Sequence, residues 1–560
     1  MKDRYSLGID FGTESARFIL VRTSDGDIAS VTIVKYPHGV IDSFLPGTGI
    51  ALGPDWVLQD PADYWEVLTK GIPEVIQKAH ALPEQVVGIG IDFTSCTMLP
   101  VNKYGQPLCW DERYRRNPHS WVKLWKHHAA QREADYISDL AQQRGELFLK
   151  RYGGKISSEW VLPKALQILR EAPEIYEAAD QFVEAADWII WQLTGNLYRN
   201  SCCAGYKAMW SKKEGYPSKE FLASVDPRLE NFVDEKLRGE VYPSGTRVGT
   251  LSKEIAQQVG LEPGTPVATA IIDAHASVLG LGVTAPGKMV LVMGTSICHM
   301  FVSPEERFVP GVAGVVEDGI LPGFFGYEAG QAAGGDMLAW FVDNMVPAEI
   351  KQEAVARDVS IHEILVERAF RIESGEGGLV ALDWWNGSRF LATADLSGLI
   401  AGFTLKTKPE HIYLALIESL AFGTKMIIDN VTGNGIPVTE LYGCGTLATN
   451  DLVAQTFADV TGLPFKRSDN SHASAVGAAV LGAVAAGTSN GGYDSVIEAS
   501  KKMGRVEGKV FEPRPAFRKR YRELYEMYRV LHRYFGETEQ EIMKALKRLR
   551  SAQDASSSSV

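Results

Sequence analysis

Leu7-Gly8-Ile9-Asp10-Phe11-Gly12-Thr13-Glu14-Ser15-Ala16-Arg17 is the stretch on which the fold turns. An apolar run from Tyr5 to Ile9 meets an aspartate, then a glycine and two hydroxyl residues. A second apolar run, Phe18-Ile19-Leu20-Val21, ends at the turn Asp25-Gly26. This pattern predicts a β-hairpin whose bend carries a carboxylate, a free amide at Gly12 and hydroxyl donors. Such a bend can hold phosphate oxygens on its amides while Asp10 reaches a Mg²⁺ bound to them. Far downstream the phrase returns as Met289-Val290-Leu291-Val292-Met293-Gly294-Thr295-Ser296. Either bend alone reads as an ordinary turn. Together they suggest two related halves facing one nucleotide.

Two familiar motifs are excluded. Asp10-Phe11-Gly12 spells the metal motif of protein kinases, but that motif lies far downstream of a Gly-rich loop and a strand lysine. Here only nine residues precede it. Gly282 to Lys288 follows the P-loop pattern until Met289, which has no hydroxyl for Mg²⁺, and the segment leads into a strand pattern where a P-loop opens a helix.

The 560 residues are too many for one hydrophobic core, so two or more domains are expected. A composition 45% hydrophobic and 22% charged is ordinary for a soluble enzyme. The net charge of -12, with a sequence pI near 5.5, argues against a nucleic-acid or anionic-membrane binder. The six cysteines, at 96, 109, 202, 203, 298 and 444, form no CxxC pair and read as reduced, mostly buried thiols. No signal-peptide pattern and no long apolar span is evident, so a cytoplasmic protein is expected.

Taken in order, residues 37–60 read as loop. Asp60-Pro61 opens a helix with Tyr64, Trp65, Leu68, Ile72, Val75 and Ile76 on its apolar face. Val86 to Ile91 is a buried strand ending in Asp92-Phe93-Thr94-Ser95-Cys96-Thr97, and residues past a strand's carboxyl end line ligand crevices in open α/β sheets. Trp110 to Trp125 is expected to be helical, as are Val161 to Ile168 and Ala178 to Leu193. Ser201 to Lys207 is expected to be a loop, and the small, apolar neighbours of Lys207 lean towards a pocket rather than a solvated surface. A strand from Val267 to Ile272 ends on Asp273-Ala274-His275. Helices are expected over Ala332 to Asn344, with Trp340 and Phe341 on the apolar side, and over 409–431. A helix plus a Gly-rich loop is expected over 350–378, and a short strand over Val380 to Asp383. Gly443-x-Gly445-x-x-Ala448 spells a dinucleotide fingerprint, but Lys466-Arg467 stands where an acidic ribose ligand is wanted. It reads instead as a Gly turn for a flat base, with a helix N-terminus near phosphate. Ala473 to Ala486 is an Ala- and Gly-dense helix. Residues 513–552 are charged helices, and Asp554 to Val560 is a frayed tail.

These residues resemble the FGGY family of carbohydrate kinases. The resemblance is carried by Asp10-Phe-Gly-Thr-x-Ser-x-Arg17, Asp273 after an apolar strand, Gly294-Thr295-Ser296 and Gly443-x-Gly445 with Asn450. It runs in order from about residue 5 to about 487. Gly90-Ile-Asp92-x-Thr94-x-x-Thr97, Ser157-Ser158-Glu159-Trp160, Cys203-Ala-Gly-x-Lys207-x-x-Trp210, Glu328-Ala-Gly-Gln331 and Leu382-Asp383-Trp384-x-Asn386-Gly387 are similar to the branch acting on L-ribulose. The resemblance implies an α/β fold of two actin-like (ribonuclease H-like) ATPase domains with an interdomain cleft. It implies an N-terminal domain over 1–282 that mainly binds sugar, a C-terminal domain over 283–512 that mainly binds ATP, and C-terminal helices over 513–560. The implied reaction is ATP- and Mg²⁺-dependent phosphorylation of a ketopentose, L-ribulose, with D-ribulose, xylulose or ribitol as alternatives. A homodimer is the candidate assembly. One departure stands out: family members often begin their Ala-rich helix with Glu, and here that position is His472.

The resemblance makes Asp273 the catalytic base, and the chemistry supports it. A sugar hydroxyl ionises far above pH 7, so attack on phosphorus needs a proton acceptor, and Asp273 ends a buried strand. Its alternative role is to cap the following helix. Asp10 is the expected metal ligand and otherwise a turn former. Gly12, Thr13, Glu14, Gly294, Thr295, Gly443, Gly445 and Asn450 are the expected ATP contacts. Ser95, Cys96, Lys207 and Glu328, with Asp273, are expected to line the sugar pocket. The competing classes are less expected: a chaperone needs a substantial peptide-binding domain after residue 487, a repressor a helix-turn-helix ahead of the first strand, and a dehydrogenase rests on the fingerprint at Gly443 alone.

Overall fold

The computed structural model describes residues 3–372, 376–506 and 508–557, with side chains through 549. Its first sheet grows from the opening hairpin: β1 (Tyr5–Phe11), β2 (Ser15–Arg22) and β3 (Ile28–Lys35) pair antiparallel in succession. Helix α1 (Pro61–Lys78) follows, capped by the Asp60 carboxylate, which accepts from Ala62 N, with Pro61 in its first turn. Then β4 (Val86–Phe93) lies parallel to β1 on its other edge. Both are buried along their whole length, as continuous apolar runs in parallel strands must be. After α2 (Ser201–Ala208), the strands β5 (Arg247–Thr250), β6 (Pro266–Ala268) and β7 (Ile271–Ile272) complete the sheet. Its order is β5-β6-β4-β1-β2-β3, with β7 also on β4. Helix α3 (Asp273–Gly280) leaves β7 directly.

The second sheet repeats the plan. β8 (Gly287–Met293) and β9 (Ile297–Ser303) form the hairpin around Gly294-Thr295. β10 (Gly314–Glu317) and β11 (Phe325–Gln331) extend it antiparallel. After the long core helix α4 (Pro409–Gly433), β12 (Val438–Cys444) lies parallel to β8, as β4 does to β1. Then come α5 (Asp451–Thr461), β13 (Phe465–Arg467), α6 (Ala473–Ala486), β14 (Val510–Phe511), α7 (Pro515–Arg533) and α8 (Gln540–Ser557). The order is β10-β11-β9-β8-β12-β13-β14. Helix α4 is long and apolar enough to cross a membrane, yet most of it is buried in the second core.

Each sheet packs on a large hydrophobic core, and the first core also takes in Val290, Met300 and Tyr442 of the second sheet. Sequence order and core membership part most clearly at α6. This helix follows the second sheet's β13 and yet packs on the first sheet, in the first core. Glycines make the approach possible. A Cβ on Gly8 would stand 2.1 Å from Ala475 O, and one on Gly90 1.8 Å from Ala478 O. Helices α3 and α6 meet in the same way, with Gly280 against Ala473 O and Gly477 against Ala276 O, each at 1.9 Å from an added Cβ. Only glycine lets backbones come this close.

Several local expectations are corrected. Ser201 to Lys207 is not a loop but α2: Asn200 caps it by accepting from Cys203 N, and its small residues are buried. Ala178 to Leu193 is not one helix, because Gln181–Glu184 pairs as a strand with Met98–Val101 before a helix begins at Ala185. Residues 110–125 hold short 3₁₀ turns and the two-residue strand Val122–Lys123 rather than a helix. Within 350–378 there are two helices, Ala348–Arg357 and Ile361–Ala369. Trp340 is 40% exposed, although Phe341 is buried. At the end of the chain α8 runs to Ser557, through the expected tail, and 558–560 lie outside the described residues. For Gln181–Glu184 and Val122–Lys123, strand partners distant in sequence overrode local propensity.

Candidate functional site

Side chains expected to act together come from both sheets and meet between the lobes. The strands β1 and β4 carry the same tetrapeptide, Gly8-Ile9-Asp10-Phe11 and Gly90-Ile91-Asp92-Phe93, in exact register. The glycines admit α6, the phenylalanines stack at 4.8 Å, and the two aspartates stand side by side. Asp10 Oδ2 accepts from Arg17 Nη1 at 2.7 Å across the hairpin. Both Asp92 oxygens are buried and receive no N–H donor; the Asp10 carboxyl alone is within hydrogen-bond reach. Burial pushes both carboxyls above the usual aspartate range; Arg17 opposes this for Asp10, whereas Asp10 and Asp273 reinforce it for Asp92.

Asp273 opens α3 from β7, the neighbour of β4, with Ile272 paired to Phe93. The carboxyl ends of β1, β4 and β7 therefore present three carboxylates. Asp273 Oδ1 accepts from Ala274 N at 2.7 Å, so the capping role is present, while Oδ2 has no hydrogen-bond partner among the described residues. Burial, then the charge of Asp10, raises Asp273 to about 7.

The second cluster joins the lobes. Lys207, near the end of α2, donates to Glu328 Oε2 at 3.0 Å and Oε1 at 3.2 Å; Glu328 lies on β11. Burial disfavours both charges, but each outweighs it for the other: Lys207 is held above the usual lysine range and Glu328 down at about 2. His275 Nε2 is 3.4 Å from Glu328 Oε2, misaligned for a hydrogen bond, and burial lowers the imidazole to about 4. It faces Glu328 as a neutral ring, tilted at 43° to Tyr206 with the ring centroids 4.4 Å apart. Cys96 sits at φ 56°, a left-handed conformation costly for a residue with a side chain. Lys164 Nζ holds its carbonyl at 2.6 Å, and its buried thiol, raised to about 12, feels the charge of Lys207. Ser95 Oγ lies 3.6 Å from that thiol.

The bends differ from expectation in one respect. The Gly12 amide is not free: it donates to Ser15 O at 3.0 Å, as Gly294 N does to Ser296 O, because each closes its own tight turn. The amides of Thr13 and Thr295 meet no acceptor among the described residues. Thr13 Oγ1 accepts from Trp125 Nε1 at 3.1 Å. Gly445, at φ 92°, packs against Met293, which sets the Gly443–Gly445 turn beside the Gly294 bend. Asn450 spends its side-chain carbonyl capping α5 on Leu452 N, and Glu14 is exposed at the tip of the first hairpin. His472 stands at the N-cap position of α6 without a side-chain cap bond, near Arg17, whose charge adds to burial in lowering it.

Thus Asp10, Asp273, Lys207, Glu328 and Cys96 share one electrostatic neighbourhood, whereas Glu14 and Asn450 lie at the ends of their elements. Sequence reasoning missed Arg17, Asp92, His275 and Arg389. The repeated Gly-Ile-Asp-Phe was a usable signal for Asp92. Nothing local marks Arg389, whose Nη1 reaches Cys298 Sγ at 3.7 Å and whose charge acts on Glu328.

Comparison with known proteins agrees with this architecture. Residues 5–280 match the N-terminal domain, and 289–486 the C-terminal domain, of the FGGY family of carbohydrate kinases. The chain is 53% identical over 562 residues to a protein named ribulokinase from Geobacillus thermodenitrificans, covering 100% of each. It is 54% identical over 549 residues to a ribulokinase from Anoxybacillus flavithermus, covering 98% of this chain and 97% of the other. Among solved structures, a xylulose kinase from Rhodospirillum rubrum superposes with TM-score 0.76 at 23% identity, covering 95% and 99%. A gluconate kinase from Lactobacillus acidophilus gives 0.79 at 16% identity, covering 97% and 100%.

Proposed function

Because this chain belongs to the FGGY family of carbohydrate kinases, we propose that it transfers the γ-phosphoryl group of ATP to L-ribulose, giving L-ribulose 5-phosphate. The observation that carries this reading is the end-to-end likeness, 53% identical over 562 residues, to a ribulokinase. The first lobe, 1–282 with α6 packed into its core, takes the sugar; the second, 283–512, takes ATP, and the helices from 513 brace the second core. We place the reaction in L-arabinose breakdown in the cytoplasm.

The chemistry follows from the groups present. Ionised Asp273 accepts the proton of the attacking hydroxyl at Oδ2 while Ala274 N fixes Oδ1. Lys207 donates to the ketose oxygens and Glu328 accepts from its hydroxyls; in the absence of sugar they satisfy each other. Ser95 and Cys96 line the same pocket. Thr13 and Thr295 offer amides to phosphate oxygens, and the turn from Gly443 to Gly445 gives a flat surface for the base. Phosphoryl transfer is mainly positioning and charge neutralisation. The first bend offers oxygen donors, which suits a hard cation, and Asp10 would hold Mg²⁺ there. When bound, Mg²⁺ supplies positive charge to the phosphates.

Sugar-dependent release of ADP tests the reading. L-ribulose should give the highest kcat/KM among L-ribulose, D-ribulose, D-xylulose and ribitol. A higher value for another acceptor would reassign the substrate, and no sugar-dependent turnover would remove the kinase.

A further inference from the structure

We propose that Asp92 is a second carboxylate of the divalent-cation seat, paired with Asp10 and reached directly or through water. The inference rests on the kinase reading above and concerns a residue which that reading leaves without a role.

Three observations carry it. First, Asp92 is the register partner of Asp10 in adjacent parallel strands, so both side chains leave the same face of the sheet at the same height. Second, Asp92 is 0% exposed, and among the described residues no N–H or hydroxyl donates to its oxygens; only the Asp10 carboxyl lies within hydrogen-bond reach. An ionised carboxylate so placed is costly unless a cation or several donors face it. Third, the charge does not close. Asp10, Asp92 and Asp273 present three carboxylates, and Arg17 is bonded to Asp10 alone. Lys207, the next cation, is already paired with Glu328. The donor set is all carboxylate oxygen, the kind that Mg²⁺ and Mn²⁺ take.

The second sheet shows the contrast. Aligning Gly294-Thr295 with Gly12-Thr13 sets Val292 where Asp10 stands, and its register partner is Cys444 where the first sheet has Asp92. The second bend has the same backbone plan and no carboxylate pair. The cation seat therefore belongs to one lobe only.

The competing role for Asp92 is a neutral buried acid that donates a hydrogen bond to Asp10. Asp92→Asn separates the two, since the amide keeps the size and the donor and removes only the charge. Mn²⁺ is the probe: the free-ion electron paramagnetic resonance signal is titrated with full-length protein and ADP, alongside Asp10→Asn. On the proposal, Asp92→Asn weakens Mn²⁺ binding roughly 10-fold or more with unchanged circular dichroism and Tm. If its Mn²⁺ affinity stays within about 2-fold of wild type while Asp10→Asn loses binding, the proposal is overturned and Asp10 remains the ligand. If wild type shows neither Mn²⁺ binding with ADP nor sugar-dependent ADP release, both this inference and the kinase reading fall. Should Asp92→Asn not fold, Asp92→Ser is read against the same thresholds.

Discussion

Lys207 Nζ stands 3.0 Å from Glu328 Oε2, and this one buried ion pair links a helix of the first lobe to a strand of the second. Removing either partner leaves the other charge buried alone, which typically costs about 3–5 kcal/mol. Lys207→Ala and Glu328→Ala should therefore lower Tm as well as raise KM for L-ribulose. The double variant Lys207→Met/Glu328→Gln should recover most of the lost Tm and none of the sugar affinity. Recovery of both would make the pair a purely structural link.

Asp273→Asn tests the base. Asn keeps an oxygen for Ala274 N, so the start of α3 should survive. Loss of a general base typically costs about 10²–10⁴-fold in rate. We expect kcat to fall in that range with sugar affinity, measured by direct binding, little changed. Retention of more than about a tenth of wild-type kcat would leave only the capping role.

The raised carboxyl of Asp273 sets a pH dependence. A base must be ionised to act, and burial with the nearby Asp10 brings this group to about 7. Below that pH the protonated form dominates, so kcat/KM should fall about tenfold per unit as pH drops beneath it. A profile flat from pH 5 to 8 contradicts the assignment. In Glu328→Gln a nearby negative charge that raises Asp273 is gone, so the midpoint should move to lower pH.

Backbone approach should be as demanding as catalysis. Gly90→Ala sets a Cβ 1.8 Å from Ala478 O, an atom of a helix backbone that cannot swing away. The cost should reach about 3 kcal/mol, the upper end of overpacking, or prevent folding. Gly433→Ala, at the end of α4 with nothing within 4 Å, should instead stabilise by about 0.4–1 kcal/mol. Thermal unfolding of the two variants in parallel decides this. A Gly90→Ala protein melting within a degree or two of wild type would mean α6 can lift off the sheet.

The sequence by itself determined the elements whose causes are local. The hairpin at Gly12, the Asp60-capped helix, the return of the Gly-Thr bend and the Ala-rich helix are all written in short-range pattern. So was the likeness that made Asp273 a candidate base. Tertiary structure alone decided what depends on partners distant in the chain. Ser201 to Ala208 has a local start signal in its Asn200 cap, but that its small residues are buried, with Gly205 against Val316 of the second lobe, is decided only by the fold. Helix α6 serves the first core because glycines more than 380 residues away admit its backbone. The Gly12 amide was expected to be free and is instead spent within its own turn. In the sequence Asp92 showed as the end of a strand and as part of a repeated Gly-Ile-Asp-Phe, with nothing to say that the two copies pair. Its orphaned carboxylate beside Asp10 exists because two copies of Gly-Ile-Asp-Phe pair in register, and register is a property of the folded sheet.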